Sequence, residues 1–334
     1  MRIYRSLIQE RSREKGTTLS ERNNTEKGVR YLFRFLMAAV LAMTFAWMPV
    51  EAAKKQKGFA SAEEAVNAFI SALRVNDDKE LLAIFGPAAK ELIFSGDPVE
   101  DNQRDERFVS RFDQKNSLSK EGDKMVLIIG EQDWPFAIPL VKEGSRWFFD
   151  TKAGKEEILN QRIGDNELNT IQVMLAIVDA QREYAMKDHD GDGILEYADK
   201  FVSDPGKKNG LYWETKEGEE PSPIGELVAD AKAEGYTSKG KKNEPVPFHG
   251  YYFRMLKRQG KHAPGGAFDY VAKGKQIGGF AVVAYPATYG NSGVMTFIVN
   301  HDGVVYQKDL GKNTEKLAEA MKKYDPDKTW KKVE

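Results

Sequence analysis

Residues 165–200 read DNELNTIQVMLAIVDAQREYAMKDHDGDGILEYADK, and the architecture of the chain turns on them. Leu168, Ile171, Met174, Leu175, Ile177, Val178 and Tyr184 recur at three- and four-residue intervals, which predicts a helix of about twenty residues with a broad apolar face. At Asp188 the pattern gives way to alternating aspartates and glycines, so the helix ends in a loop. The carboxylates of Asp165 and Glu167 stand ahead of the apolar positions and read as charges at the helix N-terminus. The glycines at Gly154 and Gly164 read as the break before it. A boundary near residue 160 divides the chain into parts that each need their own apolar core.

Upstream of that boundary, Ser61-Ala62-Glu63-Glu64 has capping-box spacing, and Val66, Phe69, Ile70 and Leu73 follow with helical periodicity. Asn76-Asp77-Asp78 caps a second short helix carrying Leu81, Leu82, Ile84 and Phe85, stopped by Gly86-Pro87. A third helix is expected from about Ala88, and the polar segment from Glu100 to Asp105 reads as a turn. Met125–Ile129, Trp134–Val141 and Arg146–Asp150 read as strands, with Pro135 and Pro139 marking the middle one as an edge or a bulged strand. Helices followed by an antiparallel sheet make this an α+β layout. With strands closing on Gly144, Trp147 and Phe149, it resembles the nuclear-transport-factor-2-like cone.

Downstream, strands are expected over Gly250–Leu256, Gly279–Tyr285, Val294–Val299 and Val304–Gln307, the last two joined through Asp302-Gly303. Alternation places Tyr251 and Phe253 on one face of a central strand and Tyr252 and Arg254 on the other. A long helix followed by a small antiparallel sheet resembles the globular domains of pilins and pseudopilins. The whole is expected to be α+β with two domains, each packing helices on an antiparallel sheet, the second opening with the long helix. They cover residues 53–160 and 161–334, behind a signal peptide at 1–52.

That signal peptide is read from Arg30 and Arg34, the short apolar run Phe35–Val50 and the small-residue site Val50-Glu51-Ala52 before Ala53. The run is shorter than the ~20 residues a membrane-spanning helix needs, which predicts a periplasmic protein with no membrane attachment after cleavage. Without residues 1–52, 41 basic and 46 acidic side chains remain, a net charge of −5 that argues against nucleic acid as a partner. The chain has no cysteine, which removes disulfides, thiol nucleophiles and thiolate metal ligation.

The sharpest local motif is the loop 188–199, which resembles an EF-hand calcium loop. Asp188, Asp190 and Asp192 stand at positions 1, 3 and 5, Gly193 at the sharp turn, Ile194 where a carbonyl ligand belongs, Glu196 at position 9 and Asp199 at position 12. Leu195 is expected to pack inward and His189 to point away from the ion. Hard oxygen donors at alternate positions suit Ca²⁺ better than zinc or copper. Asp199 replaces the usual bidentate Glu, as in dockerin-like extracellular loops. The ion is expected to be structural, since a loop filled by protein ligands leaves little room for substrate.

No nucleophile elbow accompanies the scattered His249, His262 and His301, and the paired glycines Gly265-Gly266 and Gly278-Gly279 lack a phosphate-loop context. Phe59–Val66, Gly164–Glu167, Asp190–Gly193, Gly210–Trp213, His249–Arg254, Tyr285–Gly290, Gly293–Phe297 and Val305–Gly311 together resemble the landmarks of the bacterial family known as domain of unknown function 2950. The resemblance implies an exported bacterial protein and carries no reaction. The expectation is a non-enzymatic protein of the envelope, with any partner found there. The alternative is a periplasmic small-molecule-binding protein or hydrolase with a pocket around His249, Tyr251 and Arg254. N-terminal sequencing of exported protein should return a chain beginning at about Ala53; full-length chain in the membrane fraction would contradict the signal peptide.

Overall fold

The computed structural model describes residues 56–236 and 245–333, so the expected signal peptide lies outside the described residues. The first helix, α1 (Ala62–Arg74), starts where the capping box puts it: Ser61 Oγ accepts from the Glu64 amide and Glu64 Oε2 accepts from the amide of Ala60. Its buried face carries Val66, Phe69, Ile70 and Leu73, as the periodicity predicts. Asp77 caps α2 (Asp78–Phe85), Gly86 ends it in the left-handed region at φ 78°, and the short α3 (Lys90–Ile93) follows.

The segment expected to be a turn is instead part of a seventeen-residue helix, α4 (Pro98–Gln114). The Asp97 carboxylate accepts from the amides of Val99 and Glu100, and Pro98 takes a first-turn position where its missing N–H costs nothing. The helix is so polar, with none of its residues fully buried, that apolar periodicity gave no sign of it.

The first sheet is antiparallel in the order β1 (Asn116–Glu121), β2 (Lys124–Ile129), β4 (Leu140–Glu143), β5 (Arg146–Phe149), with β3 (Trp134–Pro135) on the free part of β2. The expected strand 134–141 is thus two short pieces, β3 and β4, because Pro135 and Pro139 each lack a ladder donor. Phe59, Phe69, Phe85, Phe136 and Phe149 fill the core between this sheet and the helices. The rings of Phe69 and Phe85 meet edge to face at 4.9 Å, the arrangement favoured by their quadrupoles.

Helix α5 runs unbroken from Thr151 to Tyr184, 34 residues, where about twenty were expected from Gly164 onward. Neither glycine breaks it. At Gly154 the helix passes so close to the 137–138 backbone that a Cβ would lie 2.7 Å from the Ile138 amide nitrogen. Gly154 is therefore a packing glycine. Asp165 and Glu167, expected near the start of the helix, lie inside it; Glu167 Oε1 accepts from the amides of Val294 and Met295, both at 2.9 Å. The expected boundary at residue 160 falls within this helix, and the described residues belong to one compact unit.

Ile158 and Leu159 of α5 pack on the first core, and Val173, Met174, Ile177 and Val178 pack on a second. That second core lies against a sheet in the order β14 (Lys331–Lys332), β13 (Tyr306–Asp309), β12 (Met295–Asn300), β11 (Ala281–Pro286), β8 (Tyr251–Leu256), antiparallel throughout. Its other face carries a third core around Tyr270, Val283, Ile298 and Tyr324, with Ala318 of α7 (Thr314–Ala320). Helix α6 (Gly225–Ala233) and the short antiparallel pair β9 (Arg258–Gln259) and β10 (Phe268–Asp269) come earlier in the chain. Every residue of β11 is buried, as expected of a strand covered on both faces.

Strand β8 lies at the edge of this sheet, not at its centre. The expected alternation holds: Tyr251 and Phe253 face the second core, Tyr252 faces the third, and Arg254 donates to the carbonyls of Ala318 and Met321 at the end of α7. Among the described residues no helix is long and apolar enough to cross a membrane.

The two α5 glycines should respond oppositely to a methyl group. Gly154→Ala drives a Cβ into backbone and should lower stability by about 1–3 kcal/mol, whereas at Gly164, where nothing lies within 4 Å of that position, Ala should raise it by about 0.5–1 kcal/mol. Denaturant midpoints of the two variants check this.

Candidate metal loop

Where α5 ends at Tyr184, the chain turns back on itself. The His189 ring stacks on Tyr184 with centroids 4.1 Å apart, and its Nε2 lies 3.1 Å from the Tyr184 carbonyl oxygen. Position 2 of the loop thus points to the helix end and away from the carboxylates, as expected. Asp188 organises the turn by accepting from three amides, those of Asp190, Gly191 and Gly193, at 3.2, 2.8 and 2.7 Å. Gly191 and Gly193 stand at φ 79° and 83°, conformations other residues adopt only with strain. The bonds from these amides, Gly193 first, hold the Asp188 carboxyl below its ordinary value of 3.8.

The carboxylates of Asp188, Asp190 and Asp192 converge, with one oxygen of each within 4.8 Å of the others. No other such group of metal-type ligand atoms occurs among the described residues. A cation already faces it: Lys275 Nζ lies 2.7 Å from Asp190, 2.6 Å from Asp192 and 3.2 Å from Glu196. Ala272 and Lys275 exchange backbone bonds of 2.9 and 3.0 Å across a tight turn in which Lys273 and Gly274 take φ 52° and 84°. That turn fixes the ammonium over the loop. Hydrogen bonds to Asp190 and then Asp192 push the Lys275 pKa up, and the bond to Lys275 is the main cause of the lowered Asp192 pKa.

The remaining expected ligands divide. Glu196 joins the cluster through Lys275, its other oxygen accepting from the Gln276 amide at 3.3 Å. Asp199 faces Lys200 and Lys257 at 3.8 and 3.9 Å, and its Oδ1 is buried without a hydrogen-bond partner. Ile194 and Leu195 are 43% and 56% exposed, so Leu195 does not pack inward as expected. The reason is local. After Gly193 the chain continues extended into β6 (Lys200–Val202), which pairs in parallel with β7 (Gly210–Tyr212), and no second helix turns residue 195 toward a core. The Gln181 side chain clamps that extended segment, bonding both the amide and the carbonyl of Ala198 at 2.9 Å.

The other residues considered for chemistry do not converge. His249 lies 3.6 Å from Glu100 and 3.5 Å from Glu234, Tyr251 is a fully buried core residue, and Arg254 is on the opposite face of β8. His262 pairs with Asp325 at 3.0 Å. Lys275 was beyond reach of the sequence, since 85 residues separate it from Asp190 and no local spacing records such a contact.

An α+β chain with an Asp-Gly loop after a long central helix is the class defined by this geometry. The chain belongs to the family described as Protein of unknown function (DUF2950), whose profile matches residues 56–333. No curated protein matches the chain. No solved structure matches it either, so the cone-like and pilin-like resemblances rest on element order alone.

Replacing Lys275 by Met should separate the two depressed carboxyls. Asp192 should titrate nearer 3.8, while Asp188, held by backbone amides, should stay low. Groups lowered in the folded state stabilise it above their unfolded pKa and lose that contribution as pH falls through the folded one. The variant should therefore lose part of the acid dependence of stability below about pH 4. Carboxyl carbon NMR titration of parent and variant reads both effects.

Proposed function

We propose that this chain is an exported, non-enzymatic protein of the bacterial periplasm that works in the envelope, and that its 188–199 loop takes a structural Ca²⁺. The single observation that carries the metal reading is the convergence of Asp188, Asp190 and Asp192 around a site that already attracts a positive charge, Lys275 Nζ. Three carboxylates at that separation repel one another and need a cation. The donor set is oxygen only and suits a hard divalent ion.

Asp188, Asp190 and Asp192 would hold the ion, with Glu196 beside them and the Ile194 carbonyl next in the loop. Asp199 completes the set only if it turns from Lys200 and Lys257. The ion would supply charge neutralisation and would tie the end of α5 to the 272–276 turn. Ca²⁺ and the Lys275 ammonium then compete for the same oxygens.

Export is supported by the basic, apolar and small-residue order of residues 1–52, and an envelope partner follows from that address. The net charge of the remaining chain gives no pull toward nucleic acid.

Thermal melts in chelator, Ca²⁺ and Mg²⁺ test the metal. At a Kd of roughly 10⁻⁴ to 10⁻³ M, typical of extracellular modules, millimolar Ca²⁺ should add about 0.4–1.4 kcal/mol to the parent. Asp190→Ala should abolish the shift, and Lys275→Met, by removing the competing cation, should enlarge it. A parent melt unmoved by Ca²⁺, or moved equally in Asp190→Ala, would show that the loop is an Asp-Gly turn neutralised by Lys275 alone.

A further inference from the structure

A cavity of about 270 Å³ lies among α1, α2, α3, α4, α5 and the segment 134–138, far in sequence from the acidic loop. It exceeds the ~150 Å³ that takes up a single benzene ring and falls short of the ~300 Å³ at which drug-sized pockets begin. One ring, or two fused rings, would fill it. Its lining includes four rings in mutual contact. Phe69 stacks on Phe136 at 5.5 Å, Phe108 meets Phe136 edge to face at 5.2 Å, and Trp134 meets Phe108 edge to face at 6.5 Å. Such rings favour a flat apolar body over water.

The charged residues of the lining are of both signs, so a charged ligand meets a like charge whichever sign it carries. Nearly all the deeper ones are already engaged. Glu100 is taken up by Arg107 at 2.6 Å and Arg104 by Asp101 at 3.0 Å. Arg162 gives its Nη groups to the carbonyls of Glu91 and Leu92 and to Asn291 Oδ1. The two guanidinium nitrogens left over, Arg104 Nη1 and Arg162 Nε, are sealed inside the protein and out of reach of a ligand.

Asp105 differs from all of these. It stands three residues before Phe108 on α4, a spacing that puts both on one face of the helix, and both line the cavity. It is half-buried, and its carboxyl makes no hydrogen bond or ion pair with a described residue. Unlike the leftover arginine nitrogens, its oxygens are not sealed. Burial pushes this carboxyl up to about 6, as happens to a carboxyl short of donors. A hydrocarbon in the cavity would leave it unpaired, and water would pair with it but wet the rings. A neutral aromatic molecule with one donor meets both needs.

We propose that this cavity binds a small neutral aromatic molecule bearing an N–H or O–H donor, its rings against Phe69, Phe108 and Phe136 and its donor on the Asp105 carboxyl. This is independent of the calcium reading, since no residue is shared with the 188–199 loop.

The test is calorimetric titration of the full chain at about pH 8, where Asp105 is ionised, with indole, indene and indole-3-carboxylate. Indole should bind saturably and about tenfold tighter than indene, which has nearly its shape and lacks the N–H. Indole-3-carboxylate should bind more weakly than indole. Asp105→Leu should bring indole and indene to equal affinity, with a melt unchanged or raised, because the carboxyl it removes has no protein partner. If that variant fails to fold, Asp105→Asn, which keeps the shape and an acceptor but loses the charge, should narrow the preference for indole. Absence of saturable indole binding, indene as tight as indole, indole-3-carboxylate as tight as indole, or an unchanged preference for indole in the folded Asp105 variants overturns the proposal.

Discussion

The two sides of this molecule meet at one buried cation. Arg162 stands on α5 and reaches back to the carbonyls that end α3, where the helix dipole places partial negative charge, and forward to Asn291 in the turn before β12. Asn291 in turn donates to the Phe94 carbonyl at 2.7 Å. Four residues along the helix, Asn166 donates to the Ser292 carbonyl at 2.9 Å, and Glu167 accepts from the amides of Val294 and Met295 where β12 begins. Leaving a buried charged donor without its partner costs about 1–3 kcal/mol or more, so these contacts tie the middle of α5 to α3 and to the turn before β12.

A buried carboxylate does comparable service away from the helix. Asp97, 1% exposed, caps α4 and at the same time accepts from the Gly250 amide at 2.9 Å and the Tyr236 hydroxyl at 3.0 Å. Burial raises its pKa, and the bonds from Gly250, Glu100 and Tyr236 oppose that shift. Gly250, at φ 75° with Asn166 and Ser292 against its α-carbon, has no room for a side chain. The His249-Gly250-Tyr251 landmark is therefore a junction between the first sheet's helices and the second sheet.

What was legible in the sequence follows from how local each cause is. Helices α1 and α2 and strands β2, β11 and β12 carry their own caps and apolar patterns, and they form where those patterns lie. Helix α4 has Phe108, Val109 and Phe112 against the first core in its second half, while its charged first half, which reads as a turn, is set by the Asp97-Pro98 cap. The extent of α5 was hidden because Gly154 and Gly164 were read as breaks, while the close approach that explains Gly154 comes from residues 137–138. In the acidic loop, Asp188, Asp190 and Asp192 could be read from spacing, and their neutralising lysine could not. Nor could the nearness of Arg104 and Arg162, 58 positions apart, which α4 and α5 bring to the lining of one cavity.

A helix of 34 residues spans about 51 Å, and α5 buries its first half on one core and its second half on another. Helix α5 is accordingly shared between the two cores. Severing the chain at the middle of α5 would leave each piece with half a helix and the polar grip of Arg162, Asn166 and Glu167 divided from the turn it holds. The matched span of the family profile, residues 56–333, likewise covers both sheets and the helix between them.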